Sequence, residues 1–249
     1  MSALDRLPRM YRDLAPWFHL ITAPAEYKEE AAFYSRALIE HCRRRPRTLL
    51  ELGSGGGNNA SHMKERFEMT LVDLSPGMLR LSRSINPELE HRRGDMRSVR
   101  LGREFDAVFI HDAIMYMASE DDLRSAIETA YAHTKAGGCA LFVPDCTSET
   151  FREKTHQGGH DDPASGRGVR FVEWTWDLAG KDTEYTVDFA YLLRDARGRI
   201  RALYDRHTFG VFPKRTWLRL IRGAGFEART VPFVHSEVPV GYVAFVGVR

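Results

Sequence analysis

The run Glu51-Leu52-Gly53-Ser54-Gly55-Gly56-Gly57 carries the clearest chemistry in the chain. Glycines let the main chain turn sharply and let a ligand approach it closely. Two carboxylates follow near the ends of the next apolar runs, Asp73 and Asp95. A carboxylate at the end of a second strand can accept bonds from ribose hydroxyls. One at the end of a third strand can sit beside the exocyclic amine of a purine. The dinucleotide fingerprint GxGxxG requires glycine where this chain has Asn58, which points away from NAD.

His111 and Asp112 follow a buried apolar run, with Tyr116 four residues on. These three are the candidate catalytic residues, and Asp145 is a further candidate base. Blander readings stand beside each. His111 can contribute only backbone and shape, and Tyr116 can cap a helix turn. Met78 has apolar neighbours at helical spacing that core packing alone would explain. Asp95 can be a turn residue. Tyr11 and Tyr27 can be packing residues of amphipathic helices. His156 and His160 lie in a Gly-rich stretch that can close over substrate or stay solvated. With Asp161 and Asp162 they lack a defined ligand spacing, so no metal is expected.

The positioning elements follow from periodicity. Apolar residues from Leu4 to Phe18 recur at helical spacing, interrupted near Pro8 and Pro16. A second helix is expected over about 25–45. Strands are expected at 48–52, 69–74, 91–94, 105–110 and 139–143, with helices after Asn58, after Ser75-Pro76 and over 121–134. Ser75 reads as an N-cap with proline at the first helical position. The alternation of strand and helix indicates a parallel sheet covered on both faces. The pattern changes after Pro144. Residues 147–164 read as a loop. Three alternating runs, 169–178, 185–194 and 200–209, read as an antiparallel meander, with turns at Gly180-Lys181-Asp182 and Ala196-Arg197-Gly198. A helix over 213–223 and strands over 226–233 and 241–248 complete the chain.

These residues resemble the class I S-adenosylmethionine-dependent methyltransferases. Glu51 to Gly57 resembles the first motif of that family. Val72-Asp73-Leu74-Ser75-Pro76-Gly77-Met78-Leu79 resembles the second-strand motif, and Gly94-Asp95-Met96-Arg97 the third. The stretch from Thr208-Phe209-Gly210-Val211-Phe212-Pro213 to Ala224-Gly225-Phe226 resembles the family's ending. The insert and ending resemble the small-molecule N-methyltransferase branch, which includes amino-sugar N,N-dimethyltransferases. The resemblance implies an α/β, Rossmann-like sheet of seven strands, mostly parallel with the last antiparallel, plus an antiparallel β insert. It implies a helical cap over 1–46, a cofactor-binding core over 47–146, the insert over 147–212 and completion of the core over 213–249.

The resemblance also implies roles. Gly53 and Gly55 would lie under the methionine part of S-adenosylmethionine, with Glu51 and Ser54 in the same site. Asp73 would bind the ribose diol. Leu74 and Met78 would pack on the adenine, and Asp95 and Met96 would contact its edge. His111 would lie near the carboxypropyl group. Tyr11, Phe18 and Tyr27 would cover the pocket. A small-molecule amine acceptor is the leading expectation. An oxygen acceptor and a non-catalytic adenosylmethionine-binding module are the alternatives.

Composition bounds the partners. The 249 residues carry a formal net charge of +2, which is no nucleic-acid footprint. Arg43-Arg44-Arg45 before Pro46 reads as a helix C-terminus. Nothing resembles the Asn-Pro-Pro-Tyr-like tetrapeptide of some macromolecule methylases, the equivalent stretch being His111-Asp112-Ala113-Ile114. The three cysteines form no disulfide framework, and a cytoplasmic protein without a signal segment or membrane span is expected. The meander also offers a surface for a possible homodimer.

Overall fold

The computed structural model describes residues 7–177, 183–236 and 241–249. Leu4 and the turn at Gly180-Lys181-Asp182 fall outside them. Among the described residues, seven strands form the main sheet in the order β11-β12-β5-β4-β1-β2-β3. These are β1 (Thr48–Leu52), β2 (Glu68–Asp73), β3 (Glu90–Arg93), β4 (Phe105–Ile110), β5 (Thr134–Phe142), β11 (Glu227–Pro232) and β12 (Val243–Val248). β12 runs antiparallel to both its neighbours, β5 and β11. The pairs among β1 to β5 are parallel.

The central strands bury both faces, as parallel strands with helices on each side do. Leu50, Val108 and Ala140 point into one core, with α5 (Glu120–His133) and α6 (Lys214–Gly223) over them. Their chain neighbours Leu49, Ala107 and Cys139 point into the other, under α2 (Lys28–His41) and α3 (Asn58–Met63). The helix after β2 begins as its sequence demands. Ser75 Oγ accepts the Met78 N–H at 3.1 Å, and Pro76 opens α4 (Pro76–Ile85). Such a cap contributes about 1 kcal/mol.

Two expectations are corrected. The N-terminal region is not a single amphipathic helix. It is a series of short 3-10 turns, Arg9–Tyr11, Ala15–Trp17 and Pro24–Tyr27, with one helical turn, α1 (Phe18–Ile21), among them. Pro8, Pro16 and Pro24 each lack the N–H a continuing helix needs. The apolar set is buried all the same, with Met10, Leu14 and Trp17 packed on Val169 and Tyr191 of the insert.

The stretch 147–164 is not wholly a loop. β6 (Lys154–Gly158) and the short β7 (Asp161–Asp162) both pair antiparallel with β8 (Arg167–Trp176). An edge of ten residues presents unpaired backbone groups, and β6 satisfies part of it. The second sheet then runs β10-β9-β8-β6, with β9 (Glu184–Arg194) and β10 (Ile200–Gly210) completing the meander.

Candidate active site

The C-terminal ends of the parallel strands open into a cavity of about 720 Å³. The turn after β1 forms one wall. Gly53 has φ of +73°, and a Cβ there would stand 2.4 Å from the Ala113 side chain, so only glycine fits. Gly55, with φ of +53°, presents bare main chain to open space, where an added Cβ would meet nothing nearer than Phe18 at 4.0 Å. Asp73 ties this turn to β2. Its Oδ2 accepts the Gly55 N–H at 2.8 Å and its Oδ1 accepts that of Ser75 at 2.7 Å.

Tyr11, Phe18, Tyr27, Glu51, Gly53, Ser54, Gly55, Asp73, Leu74, Asp95, Met96, His111, Asp112 and Tyr116 all line the cavity. Met78 does not. It is fully buried against Met10, Leu14 and Trp17, which corrects the expected adenine contact to core packing. Leu74 lines the cavity just past the end of β2, whereas Met78, on α4, is buried beneath the N-terminal segment. His156 and His160 are also outside the cavity lining. His156 lies on β6 against the Phe171 ring, and His160 pairs with Glu26 at 2.8 Å. Asp161 is held by Arg170 and Arg194.

Two groups at the strand ends are already occupied by protein. Asp95 forms a two-pronged ion pair with Arg97, whose other nitrogen reaches Asp122 at 3.0 Å. Burial alone would raise the Asp95 pKa, but Arg97 holds it below the ordinary value. The His111 Nε2 stands 2.8 Å from Tyr34 Oη and 2.7 Å from Asp112 Oδ1, and its Nδ1 stands 3.2 Å from the Asn59 amide. Both ring nitrogens are thus engaged, so the ring is suited to orient Asp112.

Burial leaves an acidic cluster around the cavity. It raises the pKa of Glu51 to about 8, with Asp73 and Glu30 adding to the effect. It raises Glu30 to about 7 and Asp73 to about 6. Asp112 and Asp145 share a hydrogen bond; burial brings Asp112 to about 6 and pushes Asp145 well above the carboxylate range. Arg97 is the one Lys or Arg side chain among the described lining residues, and it is committed to Asp95 and Asp122.

Several buried polar atoms here have no hydrogen-bond partner in the protein. They include Glu30 Oε1, Glu51 Oε2, Ser54 Oγ, Asn58 Oδ1 and Asn59 Oδ1. Buried polar atoms are normally satisfied. Orphaned oxygens among buried carboxyls fit a ligand that brings N–H groups and positive charge, as the ammonium and sulfonium of S-adenosylmethionine do.

Sequence reasoning missed Glu30, Tyr34 and Asn59 around His111, and Phe189, His207 and Phe209 on the insert side of the cavity. The signals were the four-residue step from Glu30 to Tyr34 on one helix face and the alternation of Asp205, His207 and Phe209 along β10.

A methyltransferase domain model matches residues 49–138. The chain is 32% identical over 203 residues to the dTDP-3-amino-3,4,6-trideoxy-α-D-glucopyranose N,N-dimethyltransferase of Streptomyces venezuelae, covering 81% of this chain and 82% of that protein. The crystal structure of Streptomyces venezuelae DesVI superposes with a TM-score of 0.81 at 23% identity, over 95% of this chain and 97% of the other. S-adenosylmethionine-bound CalS10, an amino pentose methyltransferase from Micromonospora echinaspora, gives 0.73 at 25% identity, over 89% and 90% of the two chains. The seven-stranded sheet, the glycine turn and these likenesses agree: the chain belongs to the class I S-adenosylmethionine-dependent methyltransferases and takes S-adenosylmethionine as its cofactor.

Proposed function

We propose that this enzyme methylates the amine nitrogen of an amino-sugar acceptor. The observation that carries the reading is the carboxyl-rich lining of the cavity, which a cationic ligand would ionise. Its lining holds Glu51, Asp73, Asp112 and Asp145, against a single arginine that is already paired. Such a site favours an ammonium over a carboxylate acceptor. Three relatives are named as N,N-dimethyltransferases of dTDP-linked amino sugars, which supports the same class.

S-adenosylmethionine supplies a methyl group already activated on a sulfonium. The protein's part is alignment, exclusion of water and management of one proton. Gly53, Ser54 and Gly55 offer main chain to the cofactor, with Glu51 and the free lone pairs of Asp73 as acceptors for its ammonium and ribose hydroxyls. Leu74, Met96 and Asp95 flank the adenine. Phe18 and Tyr27, from the 1–46 cap, close the cavity over the 47–146 core. The 147–212 insert, through Phe189 and Phe209, shapes the acceptor side, and 213–249 completes the sheet. His111 orients Asp112, whose carboxyl with that of Asp145 attracts the acceptor ammonium. Tyr11 and Tyr116 stand where the cavity meets the insert. The outer face of the meander, with Val172, Trp174, Leu192 and Tyr204 exposed, is the surface for a homodimer.

The test is turnover with dTDP-3-amino-3,4,6-trideoxy-α-D-glucopyranose and related amino sugars, following S-adenosylhomocysteine and locating the new methyl by mass spectrometry and NMR. Methyl on nitrogen is expected. Methyl on oxygen, or turnover only with phenols, would overturn the amine reading.

A further inference from the structure

A chain of four side chains leads from the cavity into the insert. Tyr11 Oη stands 3.0 Å from Tyr116 Oη, and Tyr116 Oη stands 2.7 Å from His207 Nδ1. His207 Nε2 stands 3.1 Å from Asp205 Oδ2. Tyr11, Tyr116 and the edge of His207 line the cavity, and His207 and Asp205 are buried at 3% and 5% exposure.

We propose that His207, oriented by Asp205, takes the proton of the acceptor amine through the hydroxyls of Tyr11 and Tyr116. The proposal rests on the amine reading above. Asp205 is a positioning residue here, since it acts through His207.

The geometry sets the proton inventory. A carboxylate facing Nε2 requires a hydrogen there, so Nδ1 of the neutral ring is the acceptor. Tyr116 has one hydroxyl proton and two partners. In the resting chain it donates to Tyr11, so both hydroxyls turn before it donates to His207 and accepts from Tyr11. Burial raises the pKa of both phenols, so they stay protonated and conduct rather than store. Asp205 stays ionised although burial opposes it, because His207 and the backbone N–H groups of Met10 and Arg9 donate to it. The polar groups facing His207 are Asp205 on its own strand, Tyr116 and Tyr11, while β9 contributes the Phe189 ring. Tyr191 on β9 adds to the polar surroundings of Asp205.

The balance is simple. An N–H bond of the ammonium breaks and its proton goes to Tyr11 Oη, whose own proton passes to Tyr116 Oη as the Tyr116 proton passes to His207 Nδ1. The neutral amine then forms the C–N bond as the C–S bond of the cofactor breaks. A second polar recess, bordered by Arg12, Tyr116, Asp205 and Arg206, touches the two hydrogen-bond partners of His207, Tyr116 and Asp205, through which the stored proton would reach water.

The same four groups would also clamp the N-terminal segment onto β10, so the test must separate a proton path from a clamp. His207→Asn keeps an acceptor near Nδ1 but cannot store a proton. With S-adenosylmethionine and dTDP-3-amino-3,4,6-trideoxy-α-D-glucopyranose, its kcat should fall about 100-fold near neutral pH. Affinity for S-adenosylhomocysteine should hold. The loss should shrink as pH rises past the pKa of the substrate amine, because solvent then delivers the neutral form. Tyr116→Phe, which retains the ring, should show the same profile and decides the question if the histidine variant does not fold. A loss that is equal at every pH, or no loss, overturns the relay. Methyl transfer to oxygen in the unaltered enzyme would instead overturn the amine reading. A readout without substrate comes from ¹⁵N NMR of the cofactor-loaded protein, where the neutral His207 ring should carry its proton on Nε2. A proton on Nδ1 overturns the proposal.

Discussion

Asp73 Oδ2 lies 2.8 Å from the Gly55 nitrogen, so the end of β2 holds the glycine turn that leaves β1. The residue expected to bind the cofactor therefore also shapes the turn beside it. Asp73→Ala should weaken S-adenosylhomocysteine binding by about 1.5–3 kcal/mol, the range for hydrogen bonds to a charged group. Asp73→Asn keeps an acceptor for Gly55 and should lose less. Calorimetry on both variants checks this, and equal affinity in wild type and Asp73→Ala would show the carboxylate misassigned. NAD should not compete with S-adenosylhomocysteine in the same experiment.

The carboxyl cluster makes cofactor binding depend on pH. Burial raises Glu51 to about 8 and Glu30 to about 7. In the ligand-free protein these groups hold protons that the unfolded chain has released. The stability they contribute is present at low pH and lost as pH rises through the folded values. A cationic cofactor favours their ionised forms, so binding should release protons at pH 7. Calorimetry in buffers of different ionisation enthalpy measures the number. S-adenosylhomocysteine lacks the sulfonium charge and should release fewer. Glu51→Gln should make the ligand-free protein more stable at pH 8 while weakening S-adenosylmethionine binding. Equal proton release by the two ligands would refute the charge argument.

Met78 separates packing from binding. Met78→Ala should destabilise the fold by about 2–5 kcal/mol, as large-to-small core changes do. Cofactor affinity per folded molecule should stay near wild type. Chemical denaturation and calorimetry on one preparation give both values. A stable variant with weakened affinity would restore the adenine contact.

On the insert, the histidines of β6 and the loop after it should be dispensable. Replacing His156 and His160 together with alanine should leave turnover near wild type, because neither lines the cavity. Phe189→Ala should lower kcat/KM for the acceptor and leave cofactor affinity intact. Steady-state kinetics with each substrate varied in turn tests the pair. Lost turnover in a well-folded double histidine variant would return the acceptor contact to that segment.

The alternation of strands and helices, the glycine turn after β1, the Ser75-Pro76 helix start and the strand-end acids Glu51, Asp73 and Asp95 were all legible in the sequence. Each depends on residues a few positions apart, so spacing and local backbone chemistry determine it. The prolines that divide the N-terminal segment were legible too, although the apolar period around them still suggested a helix. What tertiary structure alone decided is which side chains meet. Met78 and Leu74 are close in sequence, yet the docking of the N-terminal segment on α4 buries the first and leaves the second lining the cavity. Tyr11, Tyr116 and His207 come from three separate elements, and no local pattern encodes their contact. The protonation of Glu51 and Asp112 was equally hidden, because a carboxyl's charge depends on how much protein encloses it, and that is settled only when the cap, the sheet and the insert close around one cavity.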